Sequence, residues 1–166
     1  PGYNFSGWSR STAFSMLAED VVITGSFTAR TDTPYKVEYY LETLTAGEFV
    51  LNTDITDNLT GTTDTEANAT GKTVTGFTYD ENNSNNVKTG NIDGNGTLVL
   101  KLYYTRNEYS LTYQYTNNPA PEGATALPVQ RDYKYEQEVT VAPNATAQGY
   151  EFSGWIEWKI ISIHST

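Results

Sequence analysis

The chain has 166 residues, no cysteine, one histidine and a formal net charge of −10 at neutral pH. Without cysteine there is no disulfide framework, thiolate metal site or thiol nucleophile, and the negative charge disfavours nucleic acid as a partner. No apolar stretch is long enough to span a bilayer, so we expect no membrane insertion. The 13 tyrosines, with abundant Thr, Asn, Gly and Val, favour twisted sheets joined by polar turns and predict a mostly β (α+β) fold.

The first element is the motif GYNFSGW, residues 2–8. Strict alternation along a strand places Tyr3 and Phe5 on one side and Trp8 on the other. Because glycine is the usual residue at a bulge and tryptophan favours burial, we expect a β-bulge at the Ser-Gly step. Residues 21–29 are expected to form the closing strand of the same module, with one face lined by Val21, Ile23 and Phe27.

The next elements share a two-residue period typical of half-buried strands. Residues 35–42 place Tyr35, Val37, Tyr39 and Leu41 on the predicted core face. Residues 98–104 place Leu98, Leu100, Leu102 and Tyr104 there as well. Between these two strands we expect shorter strands at 49–51 and 73–79, a loop at 82–86 and a tight hairpin turn at 93–96 (DGNG). The composition of residues 63–70 permits a short helix.

The last elements repeat the first ones. Tyr109, Leu111, Tyr113 and Tyr115 form a predicted inward face, Val139 and Val141 mark a further strand, and GYEFSGW returns at residues 149–155. The two motif copies begin 147 residues apart, at Gly2 and Gly149, while the tyrosine-led strands begin 74 residues apart, at Tyr35 and Tyr109. Two alternating modules of nearly equal length fit this spacing.

The spacing predicts four segments. Residues 1–30 are the C-terminal part of one module type, 35–107 a complete module, 109–155 the N-terminal part of the next copy of the first type, and 156–166 an atypical or artificial tail. Because the linkers are short, we expect small modules strung in tandem into an elongated array. The incomplete terminal modules predict self-association between chains.

Residues 35–107, through YKVEYYLE, GKTVTGFTYDENNSN and GTLVLKLYYTRN, resemble the mucin-binding protein repeat of Gram-positive surface proteins. The flanking segments, through YSLTYQY, EVTVAP, GYEFSGW and EDVVITGSFTA, are similar to the internalin-type B repeat. The resemblance implies small β-grasp, ubiquitin-like modules. It also implies an extracellular location on the bacterial cell surface, attached to the cell wall in the full-length protein.

Three functions remain open at this point. The first is a non-catalytic spacer and adhesion repeat, and the second is a dedicated carbohydrate- or mucin-binding module that contacts host glycans or glycoproteins. The third is an accessory domain of a secreted hydrolase. The candidate ligand-binding residues are Tyr40 and Tyr103, which fall on the non-core faces of their strands, where aromatic rings suit sugar rings. The alternative role for both is to cover the second face of the sheet.

We identify no catalytic residue, metal site or cofactor motif. The only histidine, His164, has no partner for a catalytic pair. Residues 91–96 (NIDGNG) begin like a calcium loop, but Leu102 stands at position 12, where a bidentate glutamate is needed. These observations predict a protein that is not an enzyme.

Overall fold

The structure is a computed structural model that describes residues 1–11 and 13–157. Its described residues form ten strands and no helix, so the chain is mostly β, as the composition predicts. Within these ranges we find no helix with the length and apolar character needed to cross a membrane. Residues 158–166, which include His164 and most of the predicted tail, lie outside the described residues.

The chain divides into two compact units, residues 1–107 and a second unit that begins at Glu108. The strands of the first unit are β1 Tyr3–Trp8, β2 Gly25–Ala29, β3 Thr33–Glu42, β4 Phe49–Gly61, β5 Glu66–Asn68, β6 Phe77–Tyr79, β7 Thr89–Asn91 and β8 Val99–Arg106. The second unit contains β9 Glu108–Leu111 and β10 Arg131–Lys134, which pair antiparallel.

The first unit is organised around a mixed four-stranded sheet in the order β4-β3-β8-β6. Its two central strands, β3 and β8, run parallel from the pair Lys36–Val99 to the pair Leu41–Tyr104. The outer strands β4 and β6 pair antiparallel with them. The first and last strands of the residue 33–106 segment are therefore hydrogen-bonded neighbours that point the same way.

The core lies on the face that the two-residue period predicts. Val37, Tyr39, Leu100, Leu102 and Tyr104 are each at most 2% exposed and pack together. Two further buried residues complete this core, Ala67 of β5 and Ile92, which directly follows β7. The β5–β7 part of the connection between β4 and β8 thus packs against the core face of the sheet, whereas β6 of the same connection is an edge strand of the sheet.

One local possibility for this unit is not realised, and one local prediction was wrong. Residues 63–70 form a turn followed by the short strand β5 instead of a helix. Residues 93–96 do form a turn, with Gly96 at φ +72°, but it is not a hairpin turn, because β7 pairs with β5 and β8 pairs with β3 and β6. Turn propensity fixes the local dihedral angles and leaves the pairing partner undetermined.

The strand β4 is longer than the predicted strand at 49–51, because it continues through polar residues to Gly61. Its pairing with β3 contains an irregular step, where the four residues 53–56 of β4 lie opposite the single residue Glu38 of β3. Such a step lets a mostly polar strand remain paired with an alternating one.

The predicted bulge in the first motif copy is confirmed. The pairing of β1 with β2 shifts register between Phe5 and Trp8, and Gly7 takes φ +95°. The shift brings Trp8 beside Phe5, whose ring also contacts Phe27. The expected burial was wrong, however, because 63% of Trp8 is exposed.

The second unit has less regular structure than its sequence pattern predicts. Strand β9 ends at Leu111, and neither Val139 nor Val141 lies in a strand. Tyr113 and Tyr115 instead pack against Trp155 of the second motif copy, with ring centroids 4.8 Å and 5.9 Å away. The Tyr113 hydroxyl also accepts a hydrogen bond from the Ala142 amide at 2.8 Å.

Candidate functional site

The two tyrosines predicted to bind a ligand lie side by side on the outer face of the central sheet. Tyr40 on β3 and Tyr103 on β8 are register partners. Their rings stack with centroids 4.8 Å apart and planes 10° from parallel. Two separate alternation patterns therefore converge on one aromatic feature.

Phe49 extends this pair, and the sequence prediction missed it. Its ring meets Tyr103 edge to face, with centroids 5.1 Å apart. Leu51 lies opposite Tyr40 in the register, so Phe49, two residues earlier, falls on the same outer face. The two-residue alternation of the strand that follows the 43–48 turn could have identified it, because Phe49 and Leu51 share one face. We call Tyr40, Tyr103 and Phe49 the outer aromatic cluster.

Charged groups border the outer aromatic cluster. The Tyr40 hydroxyl donates a 2.8 Å hydrogen bond to Glu38, and the Lys101 ammonium lies 5.7 Å from the centre of the Tyr40 ring. The hydrogen bond to the Glu38 carboxylate, reinforced by partial burial, raises the pKa of Tyr40 to about 12. Tyr40 therefore stays neutral across the physiological range.

These contacts limit what the outer aromatic cluster offers to a ligand. Sugar binding uses aromatic faces turned to solvent. Here Tyr40 meets both Tyr103 and Lys101, while Tyr103 meets both Tyr40 and Phe49. Both tyrosines are only half-exposed. The arrangement favours a packed cover for the sheet over an open binding platform.

A charged cluster that the sequence prediction did not foresee lies at the edge of the core. The Lys72 ammonium is 2.6 Å from one oxygen of Asp57, whose other oxygen accepts a 2.8 Å hydrogen bond from the Tyr39 hydroxyl. Lys72 also donates to the carbonyl of Ile55 at 2.7 Å and lies 4.6 Å from the Tyr39 ring centre. These contacts tie the 69–74 loop to β4 and to the core strand β3.

The Asp57 cluster predicts an acid-sensitive contribution to stability. Its hydrogen bond from Lys72, with a second from Tyr39, lowers the pKa of Asp57. A carboxylate with a depressed pKa stabilises the fold above the unfolded value of about 3.9, and this stabilisation is lost as the pH falls through the folded value. We expect the free energy of unfolding to fall less steeply below about pH 4 in Asp57→Asn than in the wild type.

Urea unfolding followed by circular dichroism at a series of pH values measures this difference. Asp54→Asn is the matched control, because Asp54 is exposed on the same strand. The control should keep the wild-type pH profile. Identical profiles for Asp57→Asn and wild type would remove the cluster from the account of acid stability.

In the turn at 93–96, the carboxylate oxygens of Asp93 accept hydrogen bonds from neighbouring residues. Asp93 accepts hydrogen bonds from the Asn95 amide at 2.8 Å and from the Thr97 hydroxyl at 2.7 Å, and the Thr97 bond is the main reason why the pKa of Asp93 is lowered. These contacts fit a turn, in agreement with the sequence analysis, which disfavours a calcium loop because Leu102 stands at position 12. Within residues 1–11 and 13–157, no group of three His, Cys, Asp or Glu side chains is placed to hold a metal ion.

A small cavity lies in the second unit, next to the second motif copy. Its volume is about 60 Å³, and its lining includes Tyr115, Tyr150 and Phe152. Ligand pockets usually enclose about 300–1,000 Å³. This cavity is therefore too small for a sugar ring.

Comparison of the chain with protein-family models, curated proteins and solved structures gave no significant match. The resemblance to mucin-binding and internalin-type repeats accordingly remains a proposal.

Proposed function

We propose that this chain is a non-catalytic repeat segment of a bacterial cell-surface protein, attached to the cell wall in the full-length molecule, and that it acts as a spacer and adhesion module. In this proposal, residues 35–107 form a β-grasp module of the mucin-binding-repeat type. The packing of β5 and β7 over the sheet supports the β-grasp assignment, since the resemblance implies a short helix or an extended connection across the sheet.

The observation that carries the spacer function is the parallel pairing of β3 with β8. The chain enters the module at the start of β3 and leaves it at the end of β8. A pull on these two ends draws the neighbouring strands in opposite directions along their length. The backbone hydrogen bonds between the strands then share the load, whereas a peeling force breaks them one after another. This geometry suits a module that must stay folded under tension.

The composition supports the same role. A tethered surface spacer must be stable. Because this chain has no cysteine, it must reach that stability without disulfides. The large core tyrosines supply apolar contact area instead, with Tyr39 and Tyr104 each 1% exposed. Net negative charge favours solubility and limits nonspecific association.

Single-molecule pulling tests the spacer function, and the absence of native cysteine lets two introduced thiols define the pulling points. Thiols at Thr31 and Glu108 load β3 and β8 in shear. Thiols at Thr31 and Asn95 pull the adjacent starts of these strands and peel them apart. We expect a clearly higher unfolding force in the first geometry. Equal forces in the two geometries would contradict the proposed function.

The second candidate function is a dedicated carbohydrate- or mucin-binding module, because the outer aromatic cluster keeps part of its surface exposed although its rings mainly pack against one another. A glycan array with the intact chain separates the two functions, with Tyr103→Ala and Tyr150→Ala as paired variants. Tyr150 is the control because it is 63% exposed and lies outside the cluster. The spacer proposal predicts no glycan signal above background. A signal lost only in Tyr103→Ala would establish the second function.

A further inference from the structure

The two copies of the GYxFSGW motif have the same local conformation. The first glycine takes φ +81° in both copies, and the second takes φ +95° at Gly7 and φ +104° at Gly154. In each copy the Phe and Trp rings meet edge to face with centroids 5.0 Å apart. Both copies therefore present the same aromatic pair in the same geometry.

The surroundings of the two aromatic pairs differ. Trp155 packs against Tyr113 and Tyr115, and its indole N–H donates to the Pro143 carbonyl at 3.2 Å. In the first copy, Trp8 is 63% exposed and Phe5 is 44% exposed. A side chain with the same sequence context and shape thus has tyrosine partners in one copy and faces solvent in the other.

The first copy has a partner strand, whereas the second copy has none among residues 1–11 and 13–157. The first copy pairs with β2, where Trp8 lies opposite Gly25. The missing side chain at Gly25 makes room for the rings, since a Cβ there would approach Phe5 to 2.7 Å and Trp8 to 2.9 Å. Residues 149–155 form only an isolated bridge between Ala147 and Tyr150. In the part of the chain that the structure describes, the first copy is therefore the more completely paired form of the motif.

The hairpin also carries an apolar surface with no cover among the described residues. Phe27 on β2 is 69% exposed and contacts Phe5 at 5.1 Å. The segment between β1 and β2 adds the exposed side chains Phe14, Met16, Leu17, Val22 and Ile23. Exposed apolar area of this kind usually marks an interaction surface.

We propose that the β1–β2 hairpin of one chain binds the Tyr113–Tyr115 surface of a second copy of this chain, where it replaces residues 149–155. The surface fits the hairpin because it already holds the same Phe-Trp pair, in the same conformation, from the second motif copy. The hairpin is the stronger occupant because it brings a paired strand and additional apolar side chains.

This contact joins two different surfaces of the chain, so a dimer joined by a single contact keeps one free hairpin, on one copy, and one free tyrosine surface, on the other. Heterologous contacts of this type build open chains unless the rotation closes a ring. Association should therefore continue beyond the dimer as the concentration rises. It should also strengthen with salt, because screening reduces the repulsion between chains of net charge −10.

Equivalent glycines in the two motif copies provide the sharpest test. A Cβ at Gly7 or Gly154 meets no atom within 4 Å, so alanine acts there through the unfavourable positive φ alone. In sedimentation velocity, Gly7→Ala should weaken association about tenfold, because it disfavours the hairpin. Gly154→Ala should strengthen association, because it disfavours the internal competitor. Changes in the same direction, or a wild-type chain that stays monomeric at every concentration, would overturn the proposal.

A complementation experiment defines the two surfaces. The Trp8→Ala chain keeps the tyrosine surface, whereas the Tyr113→Ala chain keeps the hairpin, and each alone should associate at least about tenfold more weakly than wild type. An equimolar mixture should form a one-to-one heterodimer and stop there. Circular dichroism of each variant checks that the central sheet is intact. Failure of two folded variants to form the heterodimer would overturn the assignment of the surfaces.

Discussion

Replacing Leu100 by alanine should lower the free energy of unfolding of the first unit by about 3 kcal/mol, the largest effect that we expect from one substitution. The side chain is fully buried on β8 and lies beside Val37 of the parallel strand β3. Truncation removes apolar contact area and leaves a cavity between the two strands that join the module together. The neighbouring core rings of Tyr39 and Tyr104 are held by hydrogen bonds of their hydroxyls, which limits how far they can move into the cavity.

Urea denaturation followed by near-ultraviolet circular dichroism reports this change directly, because Tyr39, Tyr79 and Tyr104 contribute rings to the core. Leu59→Ala is the matched control, since Leu59 is 39% exposed on β4 of the same sheet. We expect the control to lose less than about 1 kcal/mol. Equal losses at the two positions would mean that the core lies elsewhere.

Replacing Glu42 by alanine should cost about 2–3 kcal/mol, because it removes the acceptor of two backbone hydrogen bonds. The Glu42 carboxylate is 8% exposed and accepts from the Gly47 amide at 2.9 Å and from the Arg106 amide at 3.1 Å. The Arg106 guanidinium also donates to the Glu42 carbonyl at 3.1 Å. One side chain thus joins the β3–β4 turn to the end of β8.

Thermal unfolding of three variants tests this role. Glu42→Gln should recover part of the loss, because the amide offers one oxygen in place of two. Glu48→Ala changes an exposed glutamate in the same turn and should leave the midpoint close to wild type. A Glu42→Ala midpoint equal to that of Glu48→Ala would show that water replaces the lost acceptor without cost.

The core of the first unit was predictable because alternation encodes which face of a strand is buried. Val37, Tyr39, Leu100 and Leu102 all lie where their two-residue period places them. Alternation carries no information about pairing partners, so the parallel neighbourhood of β3 and β8 could not be derived from it. The length of β4 was missed for a related reason, since its polar residues gain their strand conformation from pairing with β3.

For the aromatic residues, too, the sequence predicts the face of the strand but not the contacts. Tyr40 and Tyr103 were assigned to the outer face from their own strands, but their stacking depends on the register between strands. At the first motif, Gly7 predicted the bulge through its backbone freedom. The exposure of Trp8 was not predictable from the motif, because burial requires a covering group and the motif specifies only the side chain to be covered.

The parallel pair of β3 and β8 also sets the pace at which the first unit forms. Lys36 and Val99 are paired although 63 residues separate them in the chain. Long-range pairings of this kind require loop closure before any contact stabilises the product, which places such topologies among the slower two-state folders, at about milliseconds to seconds. The β3–β4 hairpin can form early from neighbouring residues. The finished sheet, by contrast, must wait until the growing chain has been synthesised through Arg106, so a nascent molecule exposes a half-built core until that point.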